Sequence, residues 1–477
     1  MQNQLRSLVA FLALSLSAIQ PLAAQTITGS IVGTVLDSSG LPIAGVEATV
    51  THIATGAARE VRSNDRGDIL FNSLQPGIYN LAIAAKGFKT LQQQNIALSA
   101  NQTLPIGKLT LEVGAIAETV TVSSQGATVQ TASGEHSDLI SADQLDGLMT
   151  KSRNVMSLLS LMPGVYDAGT IGNQDFMDRN FELYVQGNRR STSSVSLDGM
   201  TTNPMGNNFN NVVTVSQDSI AEVKVLLSNY AAEYGRTSGA SINVITKSGT
   251  KSFHGLGSYF KRHEQFNAGN YFSNQLGLPK PRYRYNTWSY NIGGPVILPG
   301  GFNRNRNKLF FFWSQEYWPL KGSSAVTRLT VPTALERTGD FSQSVDTNNR
   351  LIAITDPTTK QPFPNRIVPA NRIDTSGLAL LKVFPMPNFT DRTVSAGNYN
   401  YVFQADKQTP VRMENFRTDY IVNSRNSMSF TFAGFLDRQN GGLGIATSAA
   451  NWEQMVKITA FTDKATSYAT PACGALP

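Results

Sequence analysis

The residue types that most often carry out catalysis or hold metals are sparse in this chain of 477 residues. The single cysteine, Cys473, can form no internal disulfide and no cysteine-based metal site. No histidine stands in an H-E-x-x-H pattern, and we interpret the isolated dipeptide His263-Glu264 as a surface pair. The sequence therefore predicts no catalytic residue, no bound metal and no cofactor. The four histidines are His52, His136, His254 and His263.

The composition favours a β-rich protein with many turns. Charged residues make up 15% of the chain, against roughly 25% in an average soluble domain, and glycine occurs 39 times. The net charge of +7 comes from scattered lysines and arginines, without a run of five like charges. Nucleic-acid-binding proteins concentrate positive charge on one face or segment, so we expect no nucleic-acid partner.

The N-terminal residues have the features of a cleaved export signal. Arg6 precedes an apolar stretch at residues 8–19, Pro21 follows it, and small residues surround Ala24. A membrane anchor is the alternative, but this stretch is too short to cross a bilayer, which takes about 20 apolar residues. The sequence therefore predicts a signal peptide at residues 1–24 and an exported protein. No later segment is apolar enough for a spanning helix, which leaves the periplasm, secretion or a β-barrel.

Residues 26–113 alternate short strands with turns at regular spacing, as in a small β-sandwich. Asn64, Asp65 and Gly67 are typical of a tight turn between two of these strands. The segments GTVLDSSGLPIAGVEATV, NDRGDILF and LQPGIYNLAIAAKGF resemble a carboxypeptidase regulatory-like domain, which has a transthyretin-like fold. In proteins that carry it this module is a non-catalytic appendage, so the resemblance implies no peptidase activity.

Residues 127–250 show a mixed α/β pattern. Ser141 is a candidate helix N-cap, with Asp143 in the first turn of the helix. A second helix is predicted before Pro163-Gly164, with an apolar face that must be buried. The residues of that face are Val155, Leu158, Leu159 and Met162.

The second half of this region carries a specific resemblance. SIAEVKVLLSNYAAEYGRTSGASINVITKSGT, with LDGM upstream, resembles the plug domain of TonB-dependent receptors. IGGPV and KLFFFWSQE, further along, resemble the Oar-like branch of that family, whose members carry the same front sandwich. The resemblance implies a plug that packs inside a barrel, where glycines permit tight turns. The motif residues are Leu197, Asp198, Gly199, Tyr234, Gly235 and Gly239.

A linker is predicted at residues 114–126, between the sandwich and the plug. It contains ETVTVSS, residues 118–124, which we call the coupling segment. The coupling segment resembles a TonB box, the extended segment that adds as a strand to a TonB-type periplasmic energy-coupling protein. An ordinary linker strand is the alternative. The residues assigned to partner binding are Glu118, Thr119, Val120, Thr121 and Val122.

From residue 251 to 477 the sequence predicts strands of an antiparallel transmembrane β-barrel in the outer membrane. In SMSFTFAGF, Met428, Phe430 and Phe432 lie on one face and small or polar residues on the other. An apolar row that contacts lipid opposite a polar row that faces the lumen is what a membrane barrel requires. Pro319 is predicted to end one strand, and residues 320–410 to form a long extracellular loop.

The barrel predicted in this way is incomplete. Family members close about 22 strands, whereas residues 251–477 hold five or six. An open sheet edge in lipid leaves backbone groups unpaired. The sequence therefore predicts a truncated form of a longer receptor, ended by a frameshift near Trp452. A small barrel of about eight strands is the alternative, but it has no room for the plug.

The function expected from the resemblance is energy-coupled uptake, without covalent chemistry, of an unidentified extracellular ligand. The expected partners are the coupling protein, the ligand and outer-membrane lipid. The alternative is a surface adhesion or carbohydrate-binding protein for which plug and strands are a mount. A secreted enzyme has little support, because no carboxylate pair stands in a motif with catalytic spacing.

Overall fold

The structure is a computed structural model, and every structural statement below concerns the residues that it describes. These are residues 28–114, 119–123, 134–148, 153, 155–167, 183–203, 213–235, 237–275, 277, 280–323, 326–382, 384–403, 406–424, 426–439 and 462–473. The predicted signal peptide and Glu118 lie outside these ranges.

The N-terminal part is a two-sheet β-sandwich. One sheet has the strand order β4-β1-β7 and the other β3-β2-β5-β6-β8, with the core side chains of both sheets between them. Alternation of apolar and polar residues, as in GIYNLAIA of β5, places every second side chain in this core. The strands are β1 Gly29–Leu36, β2 Glu47–His52, β3 Ala58–Arg62, β4 Asp68–Leu74, β5 Gly77–Ala84, β6 Thr90–Leu98, β7 Thr103–Thr110 and β8 Thr119–Ser123.

The predicted turn before β4 is present, and one glycine in it is sterically required. The Asn64 side chain accepts hydrogen bonds from the backbone N–H groups of Arg66 and Asp68, at 2.9 and 2.8 Å. Gly67 has a φ of +77°, and a Cβ at this position would lie 2.4 Å from the carbonyl oxygen of Val35. Only glycine avoids both the left-handed strain and this contact.

The plug is built on a five-stranded sheet with the order β13-β12-β15-β14-β9, beside a two-stranded sheet of β10 and β11. Its helix Ala142–Gly147 begins at Ser141 with a capping box, in which Ser141 and Gln144 satisfy each other's backbone N–H groups, so the predicted N-cap is confirmed. The strands are β9 His136–Ser141, β10 Val165–Asp167, β11 Leu183–Val185, β12 Ser194–Leu197, β13 Met200–Thr201, β14 Ile220–Ser228 and β15 Ser241–Thr246.

The second predicted helix of the plug is a 3-10 helix, Val155–Leu161. Its predicted apolar face is buried as expected, although the turn is tighter than an α-helix. Two more 3-10 turns, Arg190–Thr192 and Gln217–Ser219, precede β12 and β14.

The C-terminal part is one antiparallel sheet with the order β16-β17-β18-β21-β22-β23. The sequence predicted five or six strands in residues 251–477, and this sheet has six. Exposed side chains of β22, Met428 and Phe430, alternate with the buried Thr431 and Ala433, as predicted. The strands are β16 His254–Arg262, β17 Tyr283–Pro295, β18 Leu309–Ser323, β21 Asp406–Ile421, β22 Ser427–Gln439 and β23 Thr462–Cys473. In the described residues the sheet is open, with β16 and β23 at its edges.

The prediction that Pro319 ends its strand is wrong. β18 continues through Pro319 to Ser323, and Pro319 lies opposite Pro410 of β21. Two prolines can oppose each other because alternate pairs in an antiparallel ladder exchange no hydrogen bonds. On the other side of β18, the pairing with β17 is interrupted between Arg284↔Lys321 and Trp288↔Tyr317, where Pro319 has no N–H to donate.

The predicted long loop is shorter than expected and is folded. It lies between β18 and β21. Near its two ends, β19 Thr327–Leu329 and β20 Tyr401–Phe403 pair with each other in antiparallel orientation. Val331, Tyr401 and Phe403 form a small core. The short helices in this part of the chain are Tyr271–Gln275, Ala334–Arg337, Thr375–Leu381 and Arg392–Ser395, with 3-10 turns at Glu264–Phe266, Pro364–Arg366 and Ala370–Arg372.

None of the helices in the described segments combines the length and the apolar character needed to cross a membrane.

Candidate functional site

The plug shares one hydrophobic core with the sheet of β16, β17, β18, β21, β22 and β23, which we call the wall. Side chains of the plug sheet and its 3-10 helix pack against the inward row of the wall strands in a single cluster. The plug side includes Leu159, Val223 and Ile242, all almost fully buried. The wall residues in the cluster are Tyr285, Trp318, Leu320, Val411, Met413, Ala433 and Phe435. The plug and the wall therefore bury apolar side chains in a common core.

A buried ion cluster joins the plug to the wall within this core. Arg153 of the plug makes two parallel hydrogen bonds to Glu316 of β18, with its Nε 2.9 Å from Oε1 and its Nη2 3.1 Å from Oε2. The same guanidinium lies 2.8 Å from Oδ2 of Asp218, also in the plug. The Glu316 side chain is 0% exposed, and it also accepts hydrogen bonds from Ser216 and from Trp318 Nε1. The bidentate geometry fixes the direction as well as the distance of this contact.

The environment of Asp218 stabilises its charged form. Burial raises the pKa of this carboxyl, but the Arg153 guanidinium and hydrogen bonds from Ser289 and Ser258 more than offset this, so the pKa is lowered overall. Ser258 and Ser289 belong to β16 and β17, so Asp218 is held by two wall strands in addition to Arg153. Burial lowers the pKa of Arg153, and its two carboxylate partners reverse this to a net increase. Both shifts favour the charged forms of Arg153 and Asp218.

A second buried ion cluster joins the plug motif LDGM to β21. The Arg417 guanidinium, 5% exposed, donates from Nε to Asp419 Oδ2 at 3.0 Å and lies 3.6 Å from Oδ1 of Asp198. Arg417 also donates to the carbonyl oxygen of Thr246 in β15, at 3.2 Å. Asp198 in turn accepts hydrogen bonds from the backbone N–H and the hydroxyl of Thr246, at 2.9 and 2.6 Å. The motif residue Asp198 therefore ties one plug strand to another and both to the wall.

The residues around Asp198 explain the form of the LDGM motif. Leu197 is buried in the shared core, and Asp198 and Gly199 turn the chain from β12 into β13 with φ values of 47° and 83°. Aspartate tolerates the left-handed region better than most side chains, and glycine has no strain there. The structure thus places Leu197 in the core that the plug shares with the wall, and Asp198 beside the wall residue Arg417.

The other three predicted motif residues lie elsewhere in the plug. Tyr234 packs edge-on against Tyr230, and burial raises its pKa. Gly235 is exposed with open space around it, so the expected need for a tight turn does not hold there. Gly239 is required by close approach instead, because a Cβ would lie 2.7 Å from the Ser193 hydroxyl. Neither glycine has a positive φ.

The sandwich contacts both the plug and the wall. Glu222 of β14 accepts a hydrogen bond from the backbone N–H of Ala100 at 2.7 Å, and Lys224 donates to the carbonyl oxygen of Asn101 at 2.8 Å. On the wall side, Gln75 donates to Asp419 Oδ1 at 3.1 Å. Further contacts join Arg59 to the Ser424 carbonyl and Lys251 N–H to the Ala54 carbonyl. The sandwich therefore reaches the second ion cluster through Gln75.

The described part of the coupling segment, Thr119–Ser123, is extended, as predicted, but it is not a free linker. Thr119–Ser123 forms β8 and pairs in parallel with β6, from Thr90↔Thr119 to Gln94↔Ser123. Val120 packs against the sandwich core, whereas Thr121 is exposed. The predicted linker at residues 114–126 thus contributes a strand to the sandwich, because its alternation matches a half-buried edge position.

Charged residues in the wall rows are the functional positions that sequence reasoning missed. Glu316 and Arg417 stand on the inward rows of β18 and β21, among buried apolar neighbours. A charge on a buried row was the available signal, since such a residue needs a partner. The partner itself has no local signature, because Arg153 and Glu316 are 163 positions apart.

The residues tested for chemistry give a simple result. Across the described ranges, no three His, Cys, Asp or Glu side chains are placed to hold a metal ion. His263 accepts a hydrogen bond from the backbone N–H of Gln265, and Glu264 pairs with Arg284 at 2.6 Å. Hydrogen bonding to Arg284 lowers the pKa of Glu264 to about 2.

Three protein families each match one of the three parts of the chain described above: the sandwich, the plug and the wall. The carboxypeptidase regulatory-like domain matches residues 30–112, the TonB-dependent receptor plug domain residues 129–242, and an outer membrane beta barrel domain residues 245–469. The chain belongs to the TonB-dependent receptor family. The predicted resemblance, including the front sandwich, is confirmed, and the plug and barrel domains assign the protein to the outer membrane.

Individual relatives of this receptor are distant. The TonB-dependent transporter Oar of Myxococcus xanthus is 26% identical over 242 residues, which are 49% of this chain and 22% of that protein. The chain thus spans about a fifth of the length of this curated relative. The outer membrane transporter YddB from Escherichia coli has 12% identity and a TM-score of 0.40, with 65% of this chain and 33% of that chain covered. The siderophore receptor PirA from Acinetobacter baumannii has 13% identity and a TM-score of 0.35, with 66% and 32% covered.

Proposed function

We propose that this receptor takes part in energy-coupled uptake of an extracellular ligand across the outer membrane, without covalent chemistry. The plug closes the path, and movement of the plug opens it. The energy comes from a TonB-type periplasmic coupling protein that engages the coupling segment, at Glu118, Thr119, Val120, Thr121 and Val122. The exposed apolar residues on the outer row of the wall strands contact outer-membrane lipid.

The observation that carries this proposal is the nature of the contact between plug and wall. The plug is held by two buried ion clusters, Arg153–Glu316–Asp218 and Arg417–Asp198–Asp419, and by apolar packing. Ion pairs and packing can be broken and remade without chemistry. Buried ion pairs with full hydrogen bonding are specific in geometry but weak as net stabilisers. Such contacts suit a part that must seat in one position and also be displaced.

The test compares compound uptake in cells that express the wild-type gene with cells that express a variant lacking residues 119–123. Growth medium is analysed by mass spectrometry for compounds that the wild-type cells remove, with and without a proton uncoupler. The proposal predicts compounds that are removed only by wild-type cells and only while the proton gradient is intact.

The result that contradicts the proposal is equally defined. If the wild-type chain retains a compound or polysaccharide at the surface to the same extent with the uncoupler present, the protein acts by binding alone. This is the adhesion alternative. A matched control is Thr103→Ser in β7, a conservative change on another sandwich edge, which is expected to leave removal unchanged.

A further inference from the structure

The structure assigns the free edge of β8 as the surface to which a partner strand adds while β8 stays in the sandwich. This inference rests on the proposed function, because it specifies how the coupling protein engages the coupling segment. The partner must present an unpaired β-strand of its own. Its backbone N–H and C=O groups would pair with those of Thr119–Ser123 that do not face β6.

The four edges of the sandwich differ in how they are protected. Exposed strand edges invite pairing with other chains, and proteins usually block them with charged side chains or proline. β3 carries Arg59, Glu60 and Arg62, β4 carries Asp68, and β7 carries Pro105 and Lys108. β8 is TVTVS, with no charge and no proline. Among the described strands of the sandwich, this edge alone lacks such a block, which marks it for a partner.

Two contacts keep β8 in place when a partner arrives. All five residues of β8 are paired in register with β6, and Val120 packs against residues of the sandwich core. A partner that uses the free edge leaves these contacts intact. A partner that requires a detached coupling segment must first break all of them. The available edge therefore favours addition in place.

The strand next to β8 leads directly to the plug. β6 ends at Leu98, and the residues that follow it make the two contacts with plug strand β14, Ala100 to Glu222 and Asn101 to Lys224. A pull on β8 in place therefore acts through β6 on the plug strand. Release of β8 would disconnect the partner from this path. The sandwich then transmits force to the plug in addition to the chain that joins β8 to β9.

A disulfide that fixes β8 to β6 tests this inference. Gln92 and Thr121 are register partners; neighbouring strands lie about 4.8 Å apart, within the range that a disulfide spans. The pair Gln92→Cys and Thr121→Cys is made in the full chain with Cys473→Ser, so that no other thiol is present. Binding of the purified periplasmic domain of a TonB-type coupling protein is measured in detergent, oxidised and reduced. We expect dissociation constants within threefold of each other.

Each other outcome has a defined meaning. If oxidation weakens binding by more than tenfold and reduction restores it, β8 must leave the sandwich and the inference is wrong. Failure of the cysteines to oxidise in the folded chain also overturns it, because β8 and β6 would then not be paired. If the wild-type chain does not bind the coupling-protein domain, the proposed function is contradicted instead. Failure of the inference and failure of the proposed function therefore give different results.

Hydrogen exchange of the complex provides a second readout that needs no cysteine. Addition in place predicts that the amides of Thr90–Leu98 keep their protection and that those of Thr119–Ser123 gain protection when the partner binds. Detachment predicts that Thr90–Leu98 loses protection. If the partner is absent and β8 is already protected on both edges in a dimer of this chain, the free edge serves self-association and the inference fails.

Discussion

Replacement of Arg153 by methionine is the sharpest test of how the plug is held. The substitution removes the only guanidinium in the first ion cluster, while it keeps much of the apolar stem. It leaves the carboxylate of Glu316, 0% exposed, and that of Asp218, 10% exposed, without their counter-charge. Removal of one member of a buried ion pair costs about 3–5 kcal/mol, because the remaining charge stays desolvated.

The expected effect is a loss of local stability in the plug. Since each 1.4 kcal/mol is about tenfold in an equilibrium constant, opening of the plug becomes roughly 100-fold to 4000-fold more frequent. Native-state hydrogen exchange of β14 and β15 measures this opening directly, because these strands are buried between the other plug strands and the wall. The strands of the sandwich serve as the internal reference.

Two variants separate charge from packing. Glu316→Gln leaves Arg153 with Asp218 as its partner, so we expect a smaller cost of about 1–3 kcal/mol. The double variant Arg153→Met with Glu316→Met removes both members of the pair, and we expect part of the stability to return. If Arg153→Met alone costs less than about 1 kcal/mol, a value typical of exposed pairs, or if the double variant is no better than the single one, the cluster does not hold the plug.

Three further predictions concern other parts of the molecule. Burial lowers the pKa of His52 from 6.5 to about 4. Between these two values the unfolded chain binds a proton that the folded sandwich does not, so the free energy of unfolding falls by about 3 kcal/mol as the pH falls from 6.5 to 4. His52→Gln is expected to remove this pH dependence, which hydrogen exchange of β5 measures. Gly67→Ala places a Cβ 2.4 Å from the Val35 carbonyl oxygen, whereas the Cβ of Gly40→Ala meets nothing within 4 Å at a similar φ. In urea unfolding we expect Gly40→Ala to cost about 1–2 kcal/mol and Gly67→Ala to cost clearly more. Equal costs would contradict the steric argument. Gly249→Ala places a Cβ 2.4 Å from the Phe311 carbonyl oxygen and 2.8 Å from that of Gly294, whereas Gly257→Ala meets nothing; plug protease resistance is expected to fall only in the first variant.

Local patterns predicted the elements of this fold well. The N-cap at Ser141, the turn at Asn64 and the alternation in β22 depend on residues within a few positions of each other, so their signals are complete in the sequence. The segments with the plug resemblance contain the end of β12 and all of β14 and β15. The predicted face of the second helix is buried even though the helix is a 3-10 helix, because both helix types bring positions three apart, such as Val155 and Leu158, to one side.

Contacts between distant segments could not be predicted in this way. Nothing in TVTVS indicates that β8 pairs with β6 and not with another strand, since its alternation suits any half-buried edge. Pro319 looked like a strand end, and only its position opposite Pro410 shows why the strand continues. The plug partners of Glu316 and Arg417, Arg153 and Asp198, lie in another domain, so the two charges indicated that a partner was needed but not which residue it is.

The central claim is that the plug is seated on the wall and must move for the receptor to work. Asp218 of the plug accepts hydrogen bonds from Ser258 and Ser289 of the wall, so Asp218→Cys with Ser289→Cys, in a Cys473→Ser background, places two thiols in contact. The account predicts that they form a disulfide in membranes, and that gradient-dependent removal of compounds stops until a reductant is added. Cysteines that stay reduced in folded protein, or removal that continues with the plug locked, would contradict it.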